Sequence, residues 1–215
     1  MALIWGGKQI ACEAHVIDWR SSGLQFKPGK NNCGKRKLPP ELLVVHFTGT
    51  ENPPPAMFQN MTVTSVEFGM DYHGQIWQFC DPVDVICAQA QGANAFSFGI
   101  EIQNRGVPTT NAAVNHLFPR EKYSVKMPWG EQWYTQFTAE QVFALMQFID
   151  ALTAAKIIPA QIPVDTFLTK RVPKKQWSKL RGVVGHYHVD VDPGKIDPGP
   201  AIFYELWDHF NPSPP

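Results

Sequence analysis

The sequence predicts one α/β domain with a central mixed β-sheet flanked by helices. Three observations carry this. LLVVHF (42–47) and GVVGHYHV (182–189) are short apolar runs rich in branched residues, the pattern of buried strands. FSFGIEIQN (96–104) alternates like a third strand. TAEQVFALMQFIDALTAAK (138–156) places Val142, Leu145, Met146, Ile149 and Leu152 at helical spacing, so one face is apolar. Strands interleaved with helices indicate an α/β layer architecture. With 215 residues, 44% of them hydrophobic, the chain buries a core that needs no staples.

Residues 1–40 read as an irregular N-terminal extension packed on a main domain of 41–210, with 211–215 as a tail. Within the extension, 27–40 is a basic loop rich in Gly and Pro. TGTENPPPAMFQNM opens as a loop, and its prolines suit the start of a short helix at 54–60. SVEFGMD (65–71) and QIWQFC (75–80) flank Tyr72-His73-Gly74 and read as a hairpin. Thr138 and Gln141 form a capping box for the long helix, and Pro159 is its expected stop. IPVDTFLTKRVPKKQWSKLR carries Lys170, Arg171, Lys174, Lys175, Lys179 and Arg181. These six charges suit either an anionic polymer or an ordinary solvated face. IDPGPAIFYELWDHF (196–210) reads as a Pro-Gly turn and a short aromatic helix.

Composition excludes several classes. Nineteen Lys and Arg balance nineteen Asp and Glu, whereas a dedicated nucleic-acid binder carries a basic excess. No apolar run approaches a membrane span, so stable membrane insertion is not expected. The first twenty residues lack a basic segment followed by an apolar one, so cytoplasmic synthesis without a signal peptide is expected. Cys12, Cys33, Cys80 and Cys87 show no CxxC spacing and read as free thiols, although Cys80 and Cys87 can approach across a loop.

The histidines and carboxylates carry the candidate chemistry. His46 sits within an apolar strand pattern, where a histidine is either a satisfied core group or a ligand. His186 and His188, two apart on a strand, share a face. Asp190, Asp192 and Asp197 follow. Two histidines and a carboxylate suit a catalytic zinc with one open position, and spacing alone leaves the ligand set open. Glu101 interrupts an apolar strand, either facing solvent or lying in a partly dry cleft as a proton shuttle. Lys195 lies two residues before Asp197.

Three segments together resemble the type 2, zinc-dependent N-acetylmuramoyl-L-alanine amidases, a family that includes phage lysins and peptidoglycan recognition proteins. They are VVHFTGT (44–50), GANAFSFGIEIQN (92–104) and VVGHYHVDVDPGKIDPGP (183–200), in family order. The resemblance implies Zn2+ held by His46, His186 and Asp197. It implies Glu101 as catalytic carboxylate, Lys195 as a catalytic cation beside the metal, and Asn94 lining the cleft. The spacing of the last block, with Gly194 where an arginine is usual, leaves His188 as an alternative ligand. Glu67 and Gln89 stand where the family often has histidines, at positions the resemblance associates with substrate contacts. It further implies a monomer that acts on bacterial peptidoglycan or muropeptides, as a phage or prophage endolysin reaching the wall after release. The alternatives are a non-catalytic peptidoglycan-binding module and a zinc peptidase cutting within the stem peptide.

Overall fold

Six strands form the central sheet of the computed structural model, which describes residues 1–30, 32–58, 64–106, 122–127, 130–163, 171–190 and 195–211. In spatial order they are β12 (Gly182–Gly185), β5 (Leu42–Phe47), β9 (Ser97–Ile102), β6 (Phe68–Met70), β7 (Ile76–Gln78) and β3 (Val16–Asp18). All neighbours run parallel except β6 and β7, which form the expected antiparallel hairpin. The sheet is therefore mixed, as the sequence predicts. The hairpin strands are shorter than their apolar runs. Asp71 closes the turn by accepting from the backbone N–H of His73 and of Gln75.

Both faces of the central strands are covered, which explains the unbroken apolar runs. On one face Leu43, Val45, Phe98, Ile100 and Val183 pack with Leu145, Phe148, Ile149 and Leu152 of α3 (Ala139–Ala154) and Ile202, Phe203 and Leu206 of α4 (Ala201–Phe210). On the other, Leu42, Val44 and Val184 pack with Ala90, Ala93, Trp177 and Leu180. This second face is closed by loops and one short 3-10 turn (Lys174–Lys179) rather than by long helices, so room remains beside it for a cleft.

The N-terminal forty residues hold short regular elements between their loops. β1 (Ala2–Trp5) and β2 (Lys8–Ala11) pair antiparallel around Gly6 and Gly7. Both glycines have positive φ, as a two-residue hairpin turn requires. β3 then joins the main sheet, a one-turn helix α1 (Trp19–Ser22) follows, and β4 (Gly34–Lys35) pairs with β8 (Val85–Ile86). The sequence hides the β3 and β4 pairings because their partners are distant. The buried Gln78 amide accepts from Ile4 N–H and donates to Ile4 carbonyl, and Asp81 accepts from the N–H of Gly6 and Gly7.

α3 begins at the Thr138–Gln141 capping box, as expected. It ends before Pro159. Lys156 adopts φ +58, donating its N–H to Thr153, while Ile157 donates to Leu152. This pair of bonds is a Schellman stop, with lysine where glycine is usual. A second hairpin, β10 (Lys122–Met127) with β11 (Gly130–Thr135), precedes α3 and is absent from the sequence reading. α2 spans Pro54–Phe58, and 59–60 of the expected helix lie outside the described residues, as do Lys170, Asp192, Gly194 and 212–215. Cys87 lies between Cys33 and Cys80, with Sγ separations of 3.6 and 3.7 Å. No helix among the described residues is long and apolar enough to cross a membrane.

Candidate metal centre

Parallel register builds the site. Val45 of β5 is opposite Gly185 of β12, so the next residues, His46 and His186, meet at the carboxyl ends of adjacent strands. On the other side His46 is opposite Glu101 of β9. Strand alternation sends Ile100 and Ile102 into the core and Glu101 to the opposite face. The carboxyl ends of parallel strands are where open α/β sheets place ligands.

Asp197 completes the cluster from the following loop. Its Oδ2 lies 3.0 Å from His46 Nδ1 and 3.1 Å from His186 Nδ1, and the two nitrogens are 3.0 Å apart. Tyr187 N–H donates to the Asp197 carbonyl, tying this loop to the turn after β12. Gly185 permits the close approach: a Cβ there would stand 2.7 Å from Pro198 Cδ. All three side chains are buried.

The donor set fits a small N/O-preferring cation. Tetrahedral ligands with bonds of roughly 2.0–2.1 Å stand about 3.3 Å apart, so the three atoms need give by only a few tenths of an ångström. Three mutually close lone-pair atoms are otherwise hard to satisfy, since each Nδ1 carries at most one proton. Beside them, Glu101 Oε1 is 4.0 Å from His46 Nδ1, and Glu101 Oε2 is buried with no hydrogen-bond partner among the described residues.

The charges are strongly interdependent. Burial raises the Asp197 carboxyl, but hydrogen bonds from His186 and His46 outweigh it and hold the group below its ordinary range. Burial and the His46 charge lower His186. His46 is raised, because burial is outweighed by the hydrogen bond to Asp197 and the charge of Glu101. Burial pushes Glu101 up to about 7 against the lowering effect of His46. Tyr134 of β11 is buried, and burial followed by the Asp197 charge pushes its phenol up to about 12.

A cleft of about 330 Å³ opens onto this cluster, lined by Thr48, Met57, Gln89, Glu101, His186, Lys195 and Asp197 among others. Lys195 is exposed at its edge. The structure thus brings together His46, His186, Asp197, Glu101 and Lys195.

Expectations change for four residues. His188 does not share a face with His186, because the chain leaves the strand at Gly185 and enters a 3-10 turn (His186–His188). Its Nδ1 accepts from Gly185 N–H and its ring packs on Tyr187 and Phe203, away from the cluster. Asn94 turns into its own loop, where Oδ1 accepts from Ala90 and Gln89 N–H, and it is not among the cleft-lining residues. Glu67 is fully buried and paired with buried Arg36, so it is no substrate contact. Gln89 lines the cleft but spends its carbonyl on His46 Nε2 at 2.6 Å. Neither Arg36 nor Tyr134 carries a sequence signal of its place near the site, since both arrive through non-local packing.

Residues 36–200 match the family profile described as N-acetylmuramoyl-L-alanine amidase. No curated protein sequence matches the chain. Among solved structures, it is similar to a mutant endolysin from Bacillus subtilis, with 19% identity and a TM-score of 0.52 over 92% of this chain and 96% of that one. It is similar to the N-acetylmuramyl-L-alanine amidase AmiD from E. coli in complex with its substrate anhydro-N-acetylmuramic acid-L-Ala-D-gamma-Glu-L-Lys, with 18% identity and a TM-score of 0.51 over 80% of this chain and 58% of that one. It is also similar to Drosophila PGRP-LB, with 16% identity and a TM-score of 0.50 over 92% and 96% of the two chains. At these identities the likeness shows a shared fold.

Proposed function

The chain belongs to the N-acetylmuramoyl-L-alanine amidase family, and from that premise we propose that it is a zinc-dependent hydrolase of the amide joining N-acetylmuramic acid to L-alanine in peptidoglycan. The observation that carries this reading is the convergence of His46, His186 and Asp197 beside Glu101 in one cleft.

In this reading His46, His186 and Asp197 hold the zinc ion. When bound, zinc supplies a Lewis acid for the scissile carbonyl and acidifies the attacking water. Glu101 takes a proton from that water on its buried Oε2 and later delivers it to the leaving amine of L-alanine. Lys195, at the cleft edge, stabilises the negative charge that develops on the carbonyl oxygen. Residues 41–210 carry the catalytic groups, the N-terminal segment adds β3 to their sheet, and the protein works as a monomer on intact wall or soluble muropeptides. The setting we favour is a phage or prophage lysin that meets the wall after release from the cytoplasm.

The test is a digest of purified peptidoglycan analysed by mass spectrometry, with and without chelator and with zinc restored. Stem peptides with a free L-alanine amine, released only with zinc, are expected. Cuts inside the stem peptide would identify a zinc peptidase instead. Wall binding without release, on either intact wall or muropeptide, would identify a recognition module.

A further inference from the structure

Gln89 makes a contact that the catalytic reading does not use. Its Oε1 is 2.6 Å from His46 Nε2, and its Nε2 is 2.8 Å from Ser97 Oγ. Ser97 Oγ is in turn 2.9 Å from the Ala93 carbonyl oxygen. Proton positions along this chain follow from its last member. A backbone carbonyl only accepts, so the Ser97 hydroxyl proton is directed at Ala93. Ser97 Oγ then accepts, so Gln89 presents its NH2 to Ser97 and its carbonyl to His46. The carbonyl requires a proton on His46 Nε2. A neutral imidazole protonated there carries its lone pair on Nδ1, the atom that faces His186 and Asp197.

The surrounding loop is built to hold Gln89 in this pose. Asn94 Oδ1 accepts from Gln89 N–H at 3.3 Å and from Ala90 N–H at 2.7 Å, which fixes the backbone beneath the side chain. Gly99 of β9 leaves the space it crosses: a Cβ there would lie 3.0 Å from both Cδ and Oε1 of Gln89. Ser97 and Gly99 belong to the same strand as Glu101, so the strand that delivers the carboxylate also holds the glutamine.

We propose that Gln89 is a positioning residue for the metal centre, which, through Ser97 and the Ala93 carbonyl, sets the His46 tautomer and aims its Nδ1 at the cation. This rests on the zinc reading above. Partners that orient a ligating histidine typically change metal affinity by about 10–100-fold when removed.

The experiment measures zinc affinity by chelator competition for the full chain, Gln89→Met, Gln89→Glu and Ser97→Ala. Circular dichroism and thermal melting of the metal-free proteins report folding. Gln89→Met is expected to fold and to bind zinc about 10–100-fold more weakly. Gln89→Glu keeps an acceptor for His46 and recovers most of the affinity. Ser97→Ala, which only frees the amide to rotate, loses less than Gln89→Met. Nitrogen-15 shifts of His46 in the zinc-loaded wild type are expected to show the proton on Nε2. A folded Gln89→Met protein with wild-type zinc affinity overturns the proposal, and so does a wild-type His46 protonated on Nδ1, even if Gln89→Met does not fold. Both results leave the zinc reading standing, whereas a wild-type chain that binds no zinc removes that reading and this inference with it.

Discussion

Replacing Arg36 by methionine tests how the site loop is anchored. The guanidinium is fully buried and donates to the carbonyls of Val85, Asn94, Ala95 and Ser97 and to Glu67 Oε1 at 2.8–3.2 Å. Glu67 also accepts from Cys87 and Gly99 N–H. Methionine has a similar stem but no charge, so it leaves a buried carboxylate without its counter-ion. Removing one partner of a buried pair costs about 3–5 kcal/mol. For a chain of this size that lowers Tm by roughly 6–20 °C, at 2–4 °C per kcal/mol.

The pH dependence of the Arg36→Met loss separates charge from packing. Burial raises the Glu67 carboxyl, and Arg36 opposes the rise. Without Arg36 the folded-state value climbs further above the unfolded value of about 4.3. An acid with a raised folded pKa adds no penalty below its unfolded pKa and a growing one as pH rises through the folded value. The Tm deficit of Arg36→Met should therefore be larger at pH 7 than at pH 4. Pairing it with Glu67→Leu should recover stability, since an apolar pair often replaces a buried ion pair without loss. Melting of the metal-free proteins by circular dichroism measures all of this. A single-variant deficit that is equal at both pH values, or a double variant no more stable than Arg36→Met, would refute the buried-charge argument.

Further outcomes follow from the same geometry. Glu101→Gln should bind zinc yet release L-alanine-terminated stem peptides about 10²–10⁴-fold more slowly, as loss of a general acid–base group implies. In metal-free wild type, a Glu101 that keeps its proton up to about 7 makes stability fall as pH rises from roughly 4.3 through that value, and Glu101→Gln should remove this component from a pH series of melts. Gly185→Ala sets a Cβ 2.7 Å from Pro198 Cδ and should weaken zinc binding by displacing Asp197, so chelator competition showing unchanged affinity would count against the close-approach argument. Lys156→Gly should raise Tm, because a left-handed conformation costs an L-residue about 1–2 kcal/mol and glycine returns part of that as unfolded-chain entropy.

Much of the fold was legible where the signal is local. The branched runs at 42–47 and 182–185 and the alternating run at 97–102 became adjacent strands, and Thr138 with Gln141 capped the long helix. The Gly6-Gly7 hairpin was equally local, and its two-residue glycine turn was a readable signal. β3 was not legible, since three residues carry little pattern and their partner lies at 76–78. The cation in a basic loop at 27–40 gave no hint that Arg36 alone turns inward to Glu67.

The sequence by itself determined which groups the site contains: two histidines, an aspartate, a glutamate and a lysine in ordered motifs. That set came from the resemblance of three ordered segments to the amidase family, whereas spacing alone left the ligands open. The tertiary structure decided which of them meet. His186 and His188 are two residues apart, and only the end of β12 at Gly185 sends one to the cluster and the other into the core. Asn94, Gln89 and Glu67 took their partners from hydrogen bonds across the loop and the sheet, which no local pattern encodes. A buried polar group must find a partner wherever packing places it, and that placement is set by strand register across the whole domain.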